Sequence, residues 1–211
     1  MRTDHANLLL GKRRMVIEAP AGGVILRAWR ARRWYEQPLL DHIRQLKLTG
    51  LAVDAGANVG NHTLWFARAC GLRVAAFEPI LHELLRSNVR RNGLGSRVSV
   101  YPFALGTSEQ TAEHLGKGAL QVGCGDIPVR TLDSVGLEGV VLLKADVEFM
   151  EPAVLAGGEE TIRRDRPIIF AEVHPGHEAA LAAVLAPWGY VRIRRHRSKF
   201  VATPIEEWWS S

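Results

Sequence analysis

Continuous apolar runs alternate with segments of helical periodicity from Leu51 onward. The apolar runs predict buried strands, and apolar side chains repeated every three or four positions predict amphipathic helices. Strands are predicted at residues 51–54, 73–77, 98–103, 128–131, 140–146 and 167–172, and helices at 61–69, 81–91, 152–163 and 179–185. Repeated strand–helix units predict an α/β fold with a doubly wound, mostly parallel sheet and right-handed crossovers.

The first fifty residues show a different pattern. Residues 15–18 and 24–27 predict the two strands of a hairpin, because a turn-rich Pro-Ala-Gly-Gly joint separates them. Residues 38–47 carry leucine and isoleucine at helical spacing and predict a helix. We therefore expect an appendage over residues 1–50 and a core over residues 51–211, which together form one compact domain.

Two segments of the core depart from the strand–helix alternation. Residues 190–193 and 199–203 predict an antiparallel hairpin at the edge of the sheet. The stretch from residue 106 to 126 is polar and rich in glycine, and it predicts a loop. Such a loop is either a substrate lid or a variable surface loop.

Composition excludes several classes of protein. The chain has 211 residues, of which 47% are hydrophobic and 23% are charged, as is typical of a soluble globular protein. No apolar run approaches the roughly 20 residues that span a bilayer, and the N-terminus lacks the features of a secretory signal. Cys70 and Cys124 show no spacing typical of a disulfide framework or a structural zinc site. These features favour a cytoplasmic protein without a membrane span.

The net charge of +5 and the pI of about 9.6 raise the question of a phosphate-rich partner. The basic residues are dispersed, and no long basic stripe with interleaved aromatic residues is visible. This dispersion argues against nucleic acid as a partner. Trp208 and Trp209 are expected to cover apolar surface or a neighbouring subunit, which leaves a homo-oligomer open.

The segment from Val53 to Thr63 carries the strongest functional signal. A short strand ends in Asp54, a turn with Gly56 follows, and an apolar helix begins after Gly60. The carboxylate of Asp54 would repel a pyrophosphate but suits a positively charged amino group, such as that of S-adenosylmethionine. Glu78 ends the next predicted strand, where an acceptor-only carboxylate can bind both ribose hydroxyls. Together these features predict an adenosyl ligand with a cationic end.

The chain resembles the FkbM-type family of S-adenosylmethionine-dependent methyltransferases over about residues 51–204. The motifs that carry the resemblance are residues 53–63, Phe77-Glu78-Pro79, Thr131-Leu132-Asp133 and residues 144–148. The resemblance implies a class I methyltransferase fold, S-adenosylmethionine as cofactor, and O-methylation of a hydroxyl on a small-molecule natural product or sugar. One position departs from the family, which usually has a glycine where this chain has Phe149.

The candidate site residues cluster at the predicted strand ends. The expected cofactor-binding residues are Asp54, Gly56, Ala57, Asn58, Gly60, Asn61, Glu78, Ala104 and Asp146. The expected catalytic residues, which form an acid–base cluster or the ligands of a divalent metal, are Asp146, Glu148, Glu172 and His174. The sequence does not choose between metal-assisted and metal-free transfer.

Three other functions remain open from the sequence. The basic charge is compatible with a methyltransferase of RNA or protein. A nucleotide-linked oxidoreductase could use a similar sheet, although the glycine spacing and Asp54 argue against a dinucleotide. The third is an adenosyl-binding module without catalysis. For the favoured function, replacement of Asp54 or Glu78 by alanine is expected to remove cofactor binding and to leave the fold intact.

Overall fold

A seven-stranded sheet organises the computed structural model, which describes residues 1–116, 118–173, 178–196 and 199–204, with side chains up to residue 191. The strands are β1 Thr3–Leu10, β2 Arg13–Pro20, β3 Leu51–Ala55, β4 Arg73–Phe77, β5 Val98–Tyr101, β6 Ala104–Leu105, β7 Gln110–Gly116, β8 Ala119–Val122, β9 Ile127–Arg130, β10 Val140–Ala145, β11 Ile168–Glu172, β12 Tyr190–His196 and β13 Lys199–Pro204. The helices are α1 Val24–Arg30, α2 Gln37–Gln45, α3 Asn61–Arg68, α4 His82–Arg91, α5 Glu151–Ala156, α6 Glu159–Asp165 and α7 Glu178–Leu185.

The main sheet has the strand order β12-β13-β11-β10-β3-β4-β5. The five strands from β11 to β5 are parallel, and β12 and β13 form an antiparallel hairpin at the β11 edge. The chain runs from β3 outward to β5 and then returns to build β10 and β11 on the other side. This reversal between β3 and β10 creates a crevice beyond their carboxyl ends, where ligands of doubly wound sheets bind. The predicted fold class is confirmed.

Both faces of the sheet are covered, which explains why its central strands are apolar throughout. Every residue of β3 is buried. Ala52 packs with residues of the N-terminal hairpin and helices α1 to α4, whereas Val53 packs with residues of α5 to α7. Burial on both faces removes the alternation of polar and apolar positions, so these strands appear as continuous apolar runs in the sequence.

The N-terminal hairpin differs from the predicted one. Residues 15–18 do form a strand within β2, but its partner is β1 at residues 3–10. The predicted strand at 24–27 is wrong, because these residues belong to α1. Leu26 and Trp29, three positions apart, lie on one face of this helix and are fully buried. Tertiary burial of that face outweighs the strand preference of the Val24-Ile25 pair.

The first fifty residues share a hydrophobic core with the sheet. The indole rings of Trp29, Trp34 and Trp65 pack edge to face, with centroid distances of 4.6 and 5.1 Å. The side-chain amides of Asn88 on α4 and of Asn92, which directly follows α4, each bind the backbone of β2, at Glu18 and Val16 respectively, through both a donor and an acceptor. These contacts attach the N-terminal hairpin to the core.

A second sheet replaces the loop predicted at residues 106–126. It has the order β6-β9-β7-β8, and β7 and β8 are antiparallel neighbours. The predicted helix at 152–163 is also divided, into α5 and α6, at Gly157. A Cβ atom at Gly157 would lie 1.9 Å from the carbonyl oxygen of Gly106, so the chain passes too close for any side chain.

The helices in the described part of the chain are short. None of them has both the length and the hydrophobicity that crossing a membrane requires. Cys70 follows the end of α3, and burial raises the pKa of its thiol to about 11. A thiol with so high a pKa is a weak nucleophile at neutral pH.

Candidate cofactor and acceptor site

A cavity of about 570 Å³ lies in the crevice beyond the carboxyl ends of β3, β4 and β10. Its volume falls within the usual range for small-molecule sites. The turn after β3 forms the floor, Glu78 and the residues after it form one wall, and Asp146 with the loop after β10 forms the opposite wall. The N-terminal segment and the β7–β8 hairpin border the opening.

Gly56 allows two backbone segments to approach each other at the floor of this cavity. Its φ angle is +74°, and a Cβ atom there would lie 1.9 Å from the carbonyl oxygen of Asp146. The amides of Gly56 and Ala57 both donate to the carbonyl of Phe77, at 3.0 and 3.1 Å. Glycine is therefore required at this position because the backbone at Asp146 is so close, and not only because a side chain would obstruct a ligand.

Substitution of Gly56 by alanine is expected to destabilise the fold far more than the same change at Gly71. Gly71 has nearly the same φ angle, +75°, but nothing lies within 4 Å of its Cβ position. We expect Gly71→Ala to cost about 1 kcal/mol through backbone strain alone. Gly56→Ala adds a clash with the Asp146 carbonyl. Urea unfolding of both variants measures the difference, and equal losses of stability would contradict the crowding at Gly56.

Asp54 lies beneath the cavity floor and is fully buried. One carboxylate oxygen accepts a hydrogen bond of 2.6 Å from the Thr63 hydroxyl, and the other lies 3.0 Å from Lys144 Nζ. The same ammonium donates to the carbonyl oxygens of Ala55 and Gly56, at 3.2 and 2.8 Å. Asp54 is therefore absent from the cavity lining. Its carboxylate neutralises Lys144, which in turn holds the backbone of the turn.

Glu78 presents its carboxylate to the cavity in a fixed orientation. Oε2 accepts a hydrogen bond from the Asn58 amide at 2.9 Å, and Oε1 accepts from the amides of Ile80 and Leu81 at 2.8 and 2.9 Å. A carboxylate has about four acceptor positions, so one position on Oε2 remains for a ligand. This geometry suits a hydrogen bond from one ribose hydroxyl, whereas the sequence suggested two.

The first helix of the core, α3, is tied to the N-terminal segment through Asn61. Its side-chain oxygen accepts hydrogen bonds from the Trp29 indole at 2.9 Å and from the Tyr35 amide at 3.3 Å. Its side-chain nitrogen donates to the Tyr35 carbonyl at 3.0 Å. Asn61 lines the cavity, but most of its hydrogen-bonding capacity is used to position residues from outside the core.

The structure places most of the expected site residues around the one cavity. Those in its lining are Gly56, Ala57, Asn58, Asn61, Glu78, Ala104, Asp146, Glu148 and Glu172. Asp54 lies below the floor, and Gly60 packs with its Cα against Leu85 of α4 rather than facing the cavity. His174 lies outside the described residues.

The cavity lining also includes residues outside the expected set. Val24 and Ile25 come from α1, and His114 and Leu120 come from the β7–β8 hairpin, within the stretch that the sequence left open as a substrate lid. Tyr35 lines the cavity too, where the sequence allowed Trp34, Tyr35 and Glu36 either to cover the cofactor or to pack in the core. No local signal identifies Val24 and Ile25, because the sequence predicts a strand at their position.

The comparison with family models shows the family of this protein. The family model described as the methyltransferase FkbM domain matches residues 54–192. The chain belongs to this family. A search of the curated proteins finds no match.

Solved structures show that the FkbM core has the fold of known methyltransferases. A methyltransferase FkbM from Methylobacillus flagellatus KT has 20% identity and a TM-score of 0.59, over 74% of this chain and 44% of that chain. This chain thus spans less than half the length of that protein. The METTL16 MTase domain has 14% identity and a TM-score of 0.51, over 89% and 72% of the two chains. A human methyltransferase 10 domain containing protein has 12% identity and a TM-score of 0.51, over 89% and 87%.

The Thr131-Leu132-Asp133 motif of the FkbM family has a structural role in this chain. The Asp133 carboxylate accepts hydrogen bonds from the amides of Glu160 and Thr161, at 3.0 and 2.8 Å, and so satisfies the first turn of α6. Leu132 is fully buried, and its side chain lies against Gly158 between α5 and α6. The motif thus fixes the break between two helices that cover the sheet.

Phe149 occupies the position where the FkbM family usually has glycine, and its backbone explains that preference. Its φ angle is +77°, in the left-handed region that favours glycine, and the preceding Glu148 has a φ of +50°. The residue is 54% exposed, so burial does not account for a phenylalanine here. Two successive residues with unfavourable backbone conformations therefore follow Asp146 at the cavity wall.

Replacement of Phe149 by glycine is expected to stabilise the protein. Relief of the left-handed conformation should raise the free energy of unfolding by about 1 kcal/mol, the usual cost of such strain. Phe149→Leu is the matched control, because it keeps an apolar side chain and the strained backbone. Thermal and urea unfolding measure both variants. An equal gain for leucine would show that the exposed ring, and not the backbone, is responsible.

Proposed function

We propose that this protein is an S-adenosylmethionine-dependent methyltransferase that methylates a hydroxyl group of a small-molecule natural product or sugar. The observation that carries the proposal is the cavity at the switch point of an FkbM-family sheet, with the oriented carboxylate of Glu78 on its wall. That arrangement suits an adenosyl group, and the family supplies the reaction class. S-Adenosylmethionine would supply an electrophilic methyl group on a sulfonium.

The cavity lining suggests how the cofactor lies. The ribose would bind Glu78, with the adenine against the apolar side chains of Ile80, Leu81 and Leu105. The methionine end would then extend past the Gly56 turn toward Asp146, which is half-buried and carries negative charge. In this arrangement Asp54 acts indirectly, by holding Lys144 and the turn.

Glu148 and Glu172 border the remaining space and are the proposed acid–base groups. Both are half-buried in the cavity lining. A Cβ atom at Gly118, at the turn between β7 and β8, would lie 3.2 Å from Glu148 Cγ, so the hairpin passes directly over this side chain. A carboxylate in this place can accept the proton of an acceptor hydroxyl.

The transfer is a single displacement. S-Adenosylmethionine would supply the methyl carbon to the acceptor oxygen, and S-adenosylhomocysteine would leave with the electron pair of the broken carbon–sulfur bond. The hydroxyl proton passes to the carboxylate. The cavity contributes mainly by aligning oxygen, carbon and sulfur, since the methyl group is already activated by the sulfonium charge.

We infer that residues 1–50 contribute to this site, although the FkbM match begins at residue 54. Val24, Ile25 and Tyr35 border the cavity opening, and Asn61 fixes the backbone at Tyr35. An apolar border of this kind suits an acceptor with a hydrophobic portion beside its hydroxyl. The N-terminal segment would thus take part in selecting the acceptor.

Calorimetry with separate ligands tests the cofactor. We expect S-adenosylmethionine and S-adenosylhomocysteine to bind and NAD not to bind. Binding of NAD without either adenosyl compound would contradict the proposal and favour an oxidoreductase. Product formation from a panel of hydroxylated small molecules and sugars then tests the acceptor class, and selective methylation of RNA or protein would overturn that part.

Glu148→Gln is expected to slow turnover without weakening cofactor binding. The amide cannot take a proton, so kcat should fall by at least about a hundredfold, the lower end for general-base catalysis. Glu172→Gln distinguishes the second candidate, and Glu109→Gln, in an exposed turn, is the control. Unchanged kcat in Glu148→Gln together with a large loss in Glu172→Gln would transfer the base to Glu172.

A further inference from the structure

We propose that Glu36, His62 and Asp146 form a binding site for a divalent transition-metal ion at the wall of the cavity. One ligand atom from each of the three side chains lies within 4.8 Å of the others. They are the residues among those described that converge in this way. The site differs from the metal cluster suggested by the sequence, with which it shares only Asp146. It does not depend on the proposed methyl transfer.

The two N-terminal ligands are brought together by the backbone clamp at Asn61. The Asn61 side chain binds both the amide and the carbonyl of Tyr35, at 3.3 and 3.0 Å. Glu36 directly follows Tyr35 and His62 directly follows Asn61, so the clamp places these two side chains opposite each other. The fold therefore builds this contact from segments 26 residues apart.

Glu36 has a backbone conformation that indicates a constrained position. Its φ and ψ angles are 57° and 36°, in the left-handed region that glutamate rarely adopts. The residue directly precedes α2, whose first turn contains a proline. Such conformations persist where surrounding contacts fix them, and they occur often at ligand sites.

The facing atoms of His62 and Glu36 have the spacing of two ligands on one metal ion. His62 Nε2 lies 3.2 Å from Glu36 Oε2, and the histidine side chain is 8% exposed. Nε2 makes no hydrogen bond with the described residues despite this short distance. Two ligands at about 2.1 Å from a metal, separated by 3.2 Å, subtend an angle of about 100°, which tetrahedral and octahedral sites both accommodate.

The charges of the site also favour a dication. Glu36 and Asp146 each bring one negative charge, and neutral imidazole brings none. Lys144 Nζ lies 3.9 Å from Asp146 Oδ2 and 3.0 Å from the carboxylate of the buried Asp54. Two carboxylates and one imidazole suit Mn²⁺, Fe²⁺ or Zn²⁺ better than they suit Ca²⁺, which prefers ligands that are all oxygen atoms.

Mn²⁺ binding to the full chain tests the proposal, measured by calorimetry and by pulsed electron paramagnetic resonance. We expect one saturable site, with nuclear modulation from a single imidazole nitrogen. Glu36→Gln and His62→Gln should each weaken Mn²⁺ binding at least about tenfold, because even residues that only hold the metal ligands in place cause losses of that size when they are replaced. Circular dichroism shows whether each variant is folded. If a variant does not fold, the electron paramagnetic resonance spectrum of Mn²⁺ in the wild type still tests whether an imidazole is a ligand.

His82→Gln is the matched control. His82 Nε2 also lies near a carboxylate, 3.6 Å from Glu83 Oε1, but their side chains are 28% and 70% exposed. This variant should bind Mn²⁺ as the wild type does. Absence of Mn²⁺ binding at millimolar concentration, absence of imidazole modulation, or binding unaffected by both Glu36→Gln and His62→Gln would overturn the proposal. If the wild type does not bind Mn²⁺ and those variants bind S-adenosylmethionine more weakly, the proposal is also overturned. Glu36, His62 and Asp146 would then bind the ammonium group of the cofactor instead of a metal ion.

Discussion

Asp54→Ala is expected to lower the free energy of unfolding by about 3–5 kcal/mol, because it leaves the ammonium of Lys144 buried without its carboxylate. Both side chains are almost completely buried, at 0% and 6% exposure. For a chain of 211 residues this loss corresponds to a fall in Tm of roughly 6–20 °C. Thermal and urea unfolding measure the effect. The variant is thus expected to lose stability as well as cofactor binding, whereas the sequence predicted an effect on cofactor binding alone.

A double variant separates this structural role from direct cofactor binding. Asp54→Ala combined with Lys144→Met removes both charges, and we expect it to regain much of the stability that Asp54→Ala loses. Asp4→Ala is the control, since the Asp4–Arg30 pair is exposed and should contribute no more than about 1 kcal/mol. A loss in Asp54→Ala as small as that in Asp4→Ala would contradict the buried pairing.

The central strands could be predicted from the sequence because their burial on both faces leaves a local signal. β4 was predicted at its observed bounds, and β3, β10 and β11 differ from their predictions by one residue at an end. Each is an apolar run bounded by turn or polar residues. Where one face lies against another part of the chain, as in α1, the local pattern of Val24-Ile25 gives the wrong element.

The attachments between distant segments could not be predicted, because they depend on side chains that bind backbone far away in sequence. Asn88 and Asn92 bind β2 across separations of 70 and 76 residues. Nothing in the local sequence distinguishes these asparagines from those that end helices. The N-terminal hairpin therefore could not be paired correctly from the sequence.

The candidate site shows the same division between local and distant signals. Gly56 and Glu78 could be identified because a turn and a strand end fix their positions. The neighbours of Asp54 could not be identified in this way, since Lys144 reaches it from β10. A carboxylate at a strand end can face either the ligand or an internal cation, and only the tertiary structure distinguishes the two.

Glu78→Ala is expected to weaken the binding of S-adenosylmethionine by more than about a hundredfold. The substitution removes a charged hydrogen bond to the ribose, for which a loss of about 1.5–3 kcal/mol is usual. It also leaves the amides of Asn58, Ile80 and Leu81 without their acceptor, so the cavity wall loses its fixed geometry. Calorimetric titration measures the affinity. Glu83→Ala is the control, because Glu83 lies on the neighbouring α4 and its side chain is 70% exposed.

The conservative variant Glu78→Gln tests the ribose contact itself. Its side-chain oxygen can still accept from Ile80 and Leu81, but its NH₂ group cannot accept from Asn58. Comparison of adenosine with 2′,3′-dideoxyadenosine then completes a cycle of four affinities. If Glu78 binds a ribose hydroxyl, loss of the hydroxyls should weaken the wild type more than it weakens Glu78→Gln. Equal weakening in both proteins would show that Glu78 shapes the cavity wall without binding the ribose.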